Sequence, residues 1–298
     1  MVKRVPLVLV TLVSACRITP QPAAQNPSPM VEHTRAHERM AETDTVRGRR
    51  HLIDGVLSSP VRVFVPEDAP EPAPLLIHFH GAAFVPERAA AESDRKYIAV
   101  TVHLGAGSSA YQRPFADPAA LTRLMAEVSR VTGRREFDAV VLSGFSAGYG
   151  AIRAILREPA SAARIEGVLL LDGLHTAYVP AGRVLHQGGQ LDTNLLAPFL
   201  RLARDAVAGR RRLVITHSEI FPGTFASTTE TTDWIIRSLG LERSAVLEWG
   251  PAGMQQLSSV HAGALVILGF AGNSAPDHVD HFHGMPHFLR LYDAAPKR

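Results

Sequence analysis

Residues 137–150 read FDAVVLSGFSAGYG, and the rest of the chain is understood outward from them. Ala139, Val140, Val141 and Leu142 form an apolar run too short for a helix and half β-branched, the pattern of a buried strand. Gly144-Phe145-Ser146-Ala147-Gly148 follows directly, and Ala151, Ile152, Ala154, Ile155 and Leu156 then recur at helical spacing. A serine on so sharp a strand-to-helix turn is held in a strained backbone conformation, and glycines two residues before and after leave room for it. Its hydroxyl stands clear of the sheet, near the positive end of the following helix. Ser146 is therefore the candidate nucleophile.

The composition sets the outer bounds. At 298 residues, 46% hydrophobic and 20% charged, the chain is ordinary globular protein, long enough for one large α/β domain or two small ones. Its net charge is only +3, and three lysines (Lys3, Lys96, Lys297) stand among 31 basic residues. The arginine clusters at 47–50 and 210–212 have no interleaved aromatics on which bases would stack, which argues against a nucleic-acid partner.

The N-terminus opens with a basic Met1-Val2-Lys3-Arg4, an apolar run over 5–13 and small residues at Ser14 and Ala15. That is the pattern of an export signal, too short to span a bilayer. Val13-Ser14-Ala15-Cys16 resembles the lipobox of bacterial lipoproteins, which implies a lipid-modified Cys16, export and a membrane anchor in the cell envelope. Cys16 is the only cysteine, so no disulfide forms within the chain. Residues 17–50, first proline-rich and then charged, read as a tether, and the folded domain is expected over 51–298.

Eight strands are expected, at 52–57, 61–65, 75–80, 98–104, the run before Ser146, 167–171, 212–217 and 264–270. Between them lie helical patterns: one started by Asp117-Pro118 and ended by Gly133, one over 195–207, and one opened by a Ser227-to-Glu230 capping box. A last helix is expected over 279–291. The alternation predicts a mostly parallel sheet with helices on both faces. The connections leave no room for a large cap domain, and the twenty-residue loop after Asp172 is the one candidate for a small lid.

A His-Gly loop after strand three, a serine elbow after strand five and a histidine after strand eight resemble the α/β-hydrolase superfamily over residues 51–298. The resemblance implies an oxyanion hole, with His80-Gly81-Ala82-Ala83 in place of an HGGG-type loop. Its donors would be the amides of Ala82 or Ala83 and of Ala147. The two alanines depart from the all-glycine form, and their Cβ atoms disfavour positive φ. The family's His-x-x-His pattern maps onto His278 and His281, with His278 as the base just ahead of the last helix and His281 as the alternative. Two acids compete to orient it: Asp172 after strand six, which is preferred, and Glu219 after strand seven.

A metal site built from His278, His281 and His283 is disfavoured, because positions i and i+5 of a helix do not share a face and zinc needs three or four convergent ligands. No cofactor is implied. The resemblance implies a serine hydrolase acting on a small-molecule carboxylic ester. A peptidase or acyltransferase of the same fold is the alternative within it, and a non-catalytic binding lipoprotein the alternative outside it.

Overall fold

The computed structural model describes residues 39–43 and 45–296. The expected export signal, Cys16 and the tether up to residue 38 lie outside the described residues. The strands are β1 (Gly48–Ile53), β2 (Val61–Pro66), β3 (Ala73–Phe79), β4 (Ile98–Val102), β5 (Phe137–Phe145) and β6 (Ile165–Leu171). Then come the short β7 (Tyr178–Val179) and β8 (Gln190–Leu191), β9 (Arg212–His217), β10 (Ser244–Trp249), β11 (Gln255–Ala262) and β12 (Leu265–Phe270). The helices are α1 (Phe84–Glu92), α2 (Ser108–Phe115), α3 (Ala120–Thr132), α4 (Tyr149–Arg157) and α5 (Pro159–Ala163). α6 (Thr193–Val207), α7 (Thr228–Ser238), α8 (Ala275–His283) and α9 (Met285–Ala294) complete them.

One sheet runs in the order β1-β2-β4-β3-β5-β6-β9-β12-β11-β10. Its six central strands are parallel, and antiparallel pairs close both edges. This is the mostly parallel sheet covered by helices that the sequence implied, with no cap domain evident among the described residues. β3 shows how the sequence builds it. All seven of its residues are buried. Leu75, Ile77 and Phe79 pack with Leu124, Ile152, Phe199 and Ile235 from α3, α4, α6 and α7. Leu76 faces the other way, toward Val85, Phe282 and Leu289 from α1, α8 and α9. The period of two thus feeds two cores, and each such side chain contributes about 1.5–3 kcal/mol on leaving water.

The sheet departs from expectation in two places, and the terminal helix in a third. The sheet has ten strands rather than eight, because 244–262 form the hairpin β10–β11 at one edge. β10 is mostly exposed and β11 mostly half-buried, and the segment carries no sustained apolar run to announce it. The first strand lies at 48–53, not 52–57. It is an edge strand of Arg and His whose pairing with β2 is a matter of backbone, and Arg50 is tied to Glu87 at 2.7 Å. The fold therefore begins ahead of residue 51, and Arg39 pairs with Asp280 of α8 at 2.9 Å. Finally, the terminal helix is two helices that meet at Gly284. Pro286 suits the first turn of α9, where no hydrogen bond is asked of its nitrogen. α8 starts at Ala275 behind a Ser274–Asp277 capping box, so His278 stands inside a helix and not ahead of it.

Candidate active site

Parallel strands put their C-terminal ends on one edge of the sheet, which is where open α/β sheets hold their sites. Ser146 follows the end of β5 and opens a single 3₁₀ turn that leads into α4. Its φ of +47° lies in the left-handed region, which costs a non-glycine residue about 1–3 kcal/mol. The surrounding glycines make that turn fit. A Cβ on Gly148 would come within 2.1 Å of the Phe79 carbonyl oxygen at the end of β3, and one on Gly144 within 3.0 Å of Ile152. From the other side Gly173 presses on the serine's own backbone, where a Cβ would lie 2.5 Å from Ser146 O and 2.6 Å from its N.

Asp172, at the end of β6, is 3% exposed and also has a positive φ, +42°. Its carboxylate accepts three hydrogen bonds: from Ser218 N–H at 3.0 Å, from Ser218 Oγ–H at 2.7 Å and from His278 Nδ1–H at 2.7 Å. Burial on its own would raise this carboxyl. The His281 and His278 imidazoles and the donated hydrogen bonds outweigh it and hold Asp172 well below the usual carboxylate range. The His278 ring lies over Phe145, the residue before Ser146, with 4.6 Å between ring centroids, and its side chain is 25% exposed. Phe145 therefore bridges the serine's turn and the histidine.

The other candidates fall elsewhere. Glu219 is exposed, and it binds the loop after β12: its N–H donates to Gly272 O at 2.9 Å and its carboxylate accepts from Gly272 N–H at 3.4 Å. His281 is fully buried, with Nδ1 2.8 Å from Thr216 Oγ1. Glu230 forms the capping box with Ser227. His283 Nδ1 accepts from Met40 N–H at 3.1 Å.

The loop at 80–83 answers the question posed by its alanines. The positive φ values fall on His80 (+75°) and Gly81 (+123°), while Ala83 is at −65°. Gly81 has no alternative, since a Cβ there would enter the Phe282 ring at 2.4 Å. The loop is anchored from below. The fully buried His78 donates from Nε2 to the His80 carbonyl at 2.8 Å, and His80 Nδ1 lies 2.7 Å from Tyr111 Oη. Ala147 lines a cleft of about 460 Å³ together with Ser146, Tyr149, Arg153, His175, Leu195 and Phe225. Gly81, Ala82 and Ala83 line a second pocket of about 360 Å³, beside Arg50 and His103.

Ser218, the loop-holding role of His78 and the close packing of Gly173 on Ser146 are not legible in the sequence. Ser218 is 46 positions from the aspartate it holds and belongs to no motif, so no local signal marks it. The alternation in β3 does place His78 on one face, but a buried polar residue there gives no hint that it holds the following loop.

No protein-family model matches the chain, and a search of curated proteins finds no match. Solved structures do resemble it. DphMB1 is 16% identical, with 86% of this chain and 87% of that one covered at a TM-score of 0.49. An esterase of Pyrobaculum calidifontis is 13% identical, with coverages of 85% and 88% and a TM-score of 0.49. EstE1, a thermostable carboxylesterase from a metagenomic library, is 16% identical, with coverages of 84% and 89% and a TM-score of 0.46.

Proposed function

We propose that the chain is a serine hydrolase that cleaves carboxylic esters through an acyl-enzyme on Ser146, with His278 as base and Asp172 as its orienting acid. The observation that carries this is the 2.7 Å hydrogen bond from His278 Nδ1 to a buried, ionised Asp172, on a ring packed over Phe145 beside the strained Ser146. With Nδ1–H committed to the carboxylate, Nε2 keeps its lone pair and is the atom able to take a proton. Ser146 Oγ attacks the ester carbonyl as its proton passes to Nε2. The bond to the alkoxy oxygen then breaks, and the departing alcohol takes that proton from the imidazolium. Water repeats the sequence, releasing the acid and restoring the serine. The amides of Ala147 and of Ala82 or Ala83 hold the oxyanion.

The test is hydrolysis of 4-nitrophenyl butyrate by the wild type and by Ser146→Ala. Turnover is expected to fall by about three orders of magnitude or more with the thermal melt unchanged. Comparable rates would refute the assignment. We also propose that Cys16 carries a lipid that anchors the chain to a bacterial membrane, on the strength of Val13-Ser14-Ala15-Cys16. Detergent is then needed to extract the wild type but not Cys16→Ser, and equal retention of both would point to a different attachment.

A further inference from the structure

The Ser146 cleft contains a cation that no step of the proposed reaction uses. Arg153 lies in α4 and is 6% exposed, yet it lines the cleft with Ser146 and Tyr149. Ser146, Tyr149 and Arg153 are spaced three and four residues apart, which sets them along one face of the turn and helix. About 10 Å of helical rise separates Ser146 from Arg153, and a helical side chain leans back toward the N-terminus and so toward the serine.

A buried guanidinium normally sits against a carboxylate, because burying an unpaired charge is costly. Arg153 does not. Among the described residues no carboxylate lies within 4 Å of it, and its Nε–H meets no acceptor. Its partners are neutral: Nη2–H donates to Gln112 Oε1 at 2.5 Å, and the guanidinium carbon stands 5.2 Å from the Tyr149 ring centroid. Asp192, the nearest acid to act on it, is beyond ion-pair distance and caps α6. Arg157 adds like charge. Gly107 and Ser108, at the N-terminal end of α2, line the same cleft and add the positive end of a helix dipole. α2 is held close there, since a Cβ on Gly150 would come within 2.2 Å of Ser108 O. The remaining lining is largely apolar, with Leu195, Phe225, Ala147 and Ala177.

We propose that Arg153 is a specificity-determining residue, and that the ester taken into this cleft carries a carboxylate, joined by a short apolar spacer to the carbonyl that Ser146 attacks. A single guanidinium balances one negative charge, which favours a carboxylate over a phosphate dianion. Its planar N–H groups match the two oxygens of that anion. The apolar walls between serine and arginine suit the spacer. This assignment of substrate class rests on the reading of Ser146 as nucleophile.

Two esters that differ by one charge test it: the 4-nitrophenyl monoester of adipic acid and the same compound with its free carboxylate methylated. With the full-length chain, kcat/KM is expected to favour the anionic ester by at least about tenfold, the size of a hydrogen-bonded charge pair, mainly through KM. In Arg153→Met the ratio should approach one, and in Arg153→Lys it should fall between the two. If Arg153→Met does not fold, Arg153→Gln takes its place. Equal kcat/KM for the two esters in the wild type, or a preference that survives removal of the charge, overturns the proposal. Should neither ester be turned over, the nucleophile assignment fails separately, and calorimetric titration with monomethyl adipate decides the anion site. Binding that weakens at least tenfold without the Arg153 charge upholds it, and binding that does not change sinks it.

Discussion

At the scale of single residues, the acid separates two accounts that the sequence leaves open. Asp172 and Glu219 each lie just past a parallel strand, and the shorter side chain of Asp172 and the glycine after it favour it without deciding between the two. What decides is burial, together with the hydrogen bonds from Ser218 and His278, which come from 46 and 106 positions away. A triad carboxylate fixes the imidazole tautomer and stabilises the imidazolium, and its amide replacement in a well-studied serine protease costs about 10⁴ in kcat. Asp172→Asn is therefore expected to lose about three to four orders of magnitude in kcat with KM little changed. Glu219→Gln, which gives up one long hydrogen bond at an exposed site, should stay within about tenfold of wild type. Steady-state kinetics on folded variants checks both, and a dead Glu219→Gln beside a live Asp172→Asn would reverse the assignment.

At the scale of elements, the turn around Ser146 is readable in the sequence because strain leaves so few residue choices. A Cβ would collide with backbone at Gly148 and crowd Ile152 at Gly144, and the strand and helix on either side declare themselves by their periodicity. Gly148→Ala should be destabilising by about 1–3 kcal/mol, since the obstacle is the backbone oxygen of Phe79 and not a side chain that can swing away. A chain of this size loses about 2–4 °C in Tm per kcal/mol, so a calorimetric Tm within a degree of wild type would contradict the packing described. β10 and β11 are unreadable for the opposite reason. Their residues are mostly exposed in β10 and mostly half-buried in β11, held by backbone pairing at a sheet edge, so no hydrophobic pattern is required of them. The start of α8 is hidden by a subtler competition: the Ser274–Asp277 capping box and Pro276 begin the helix ahead of His278, where the family pattern places a loop.

At the scale of the whole molecule, the parallel sheet is legible because both faces are covered and its central strands read as continuous apolar runs. The same coverage buries titratable groups. Burial holds the His78 imidazole down at about 3, and burial together with the adjacent Arg243 holds His217 at about 4. In the unfolded chain both titrate near 6.5, so below that pH the unfolded state binds protons that the native state does not. Stability therefore falls as the solution is acidified from about pH 6.5 toward 4, by up to about 1.4 kcal/mol per pH unit for each histidine. The consequence reaches the site, since His78 holds the loop before Ala82, and His217 donates from Nδ1 to the carbonyl of Ser218, which in turn holds Asp172. Urea midpoints measured from pH 7.5 to 4.5 should drop steadily, and a flat profile would mean that these imidazoles are not buried neutral.

The central claim is that Ser146 is a nucleophile activated by His278 and Asp172. It is tested most directly by incubating the protein with a fluorophosphonate probe and mapping the labelled peptide by mass spectrometry. The account predicts a single adduct on Ser146, absent in Ser146→Ala and strongly slowed in His278→Ala and Asp172→Asn. Labelling at another serine, or unchanged labelling of Ser146→Ala, would contradict it.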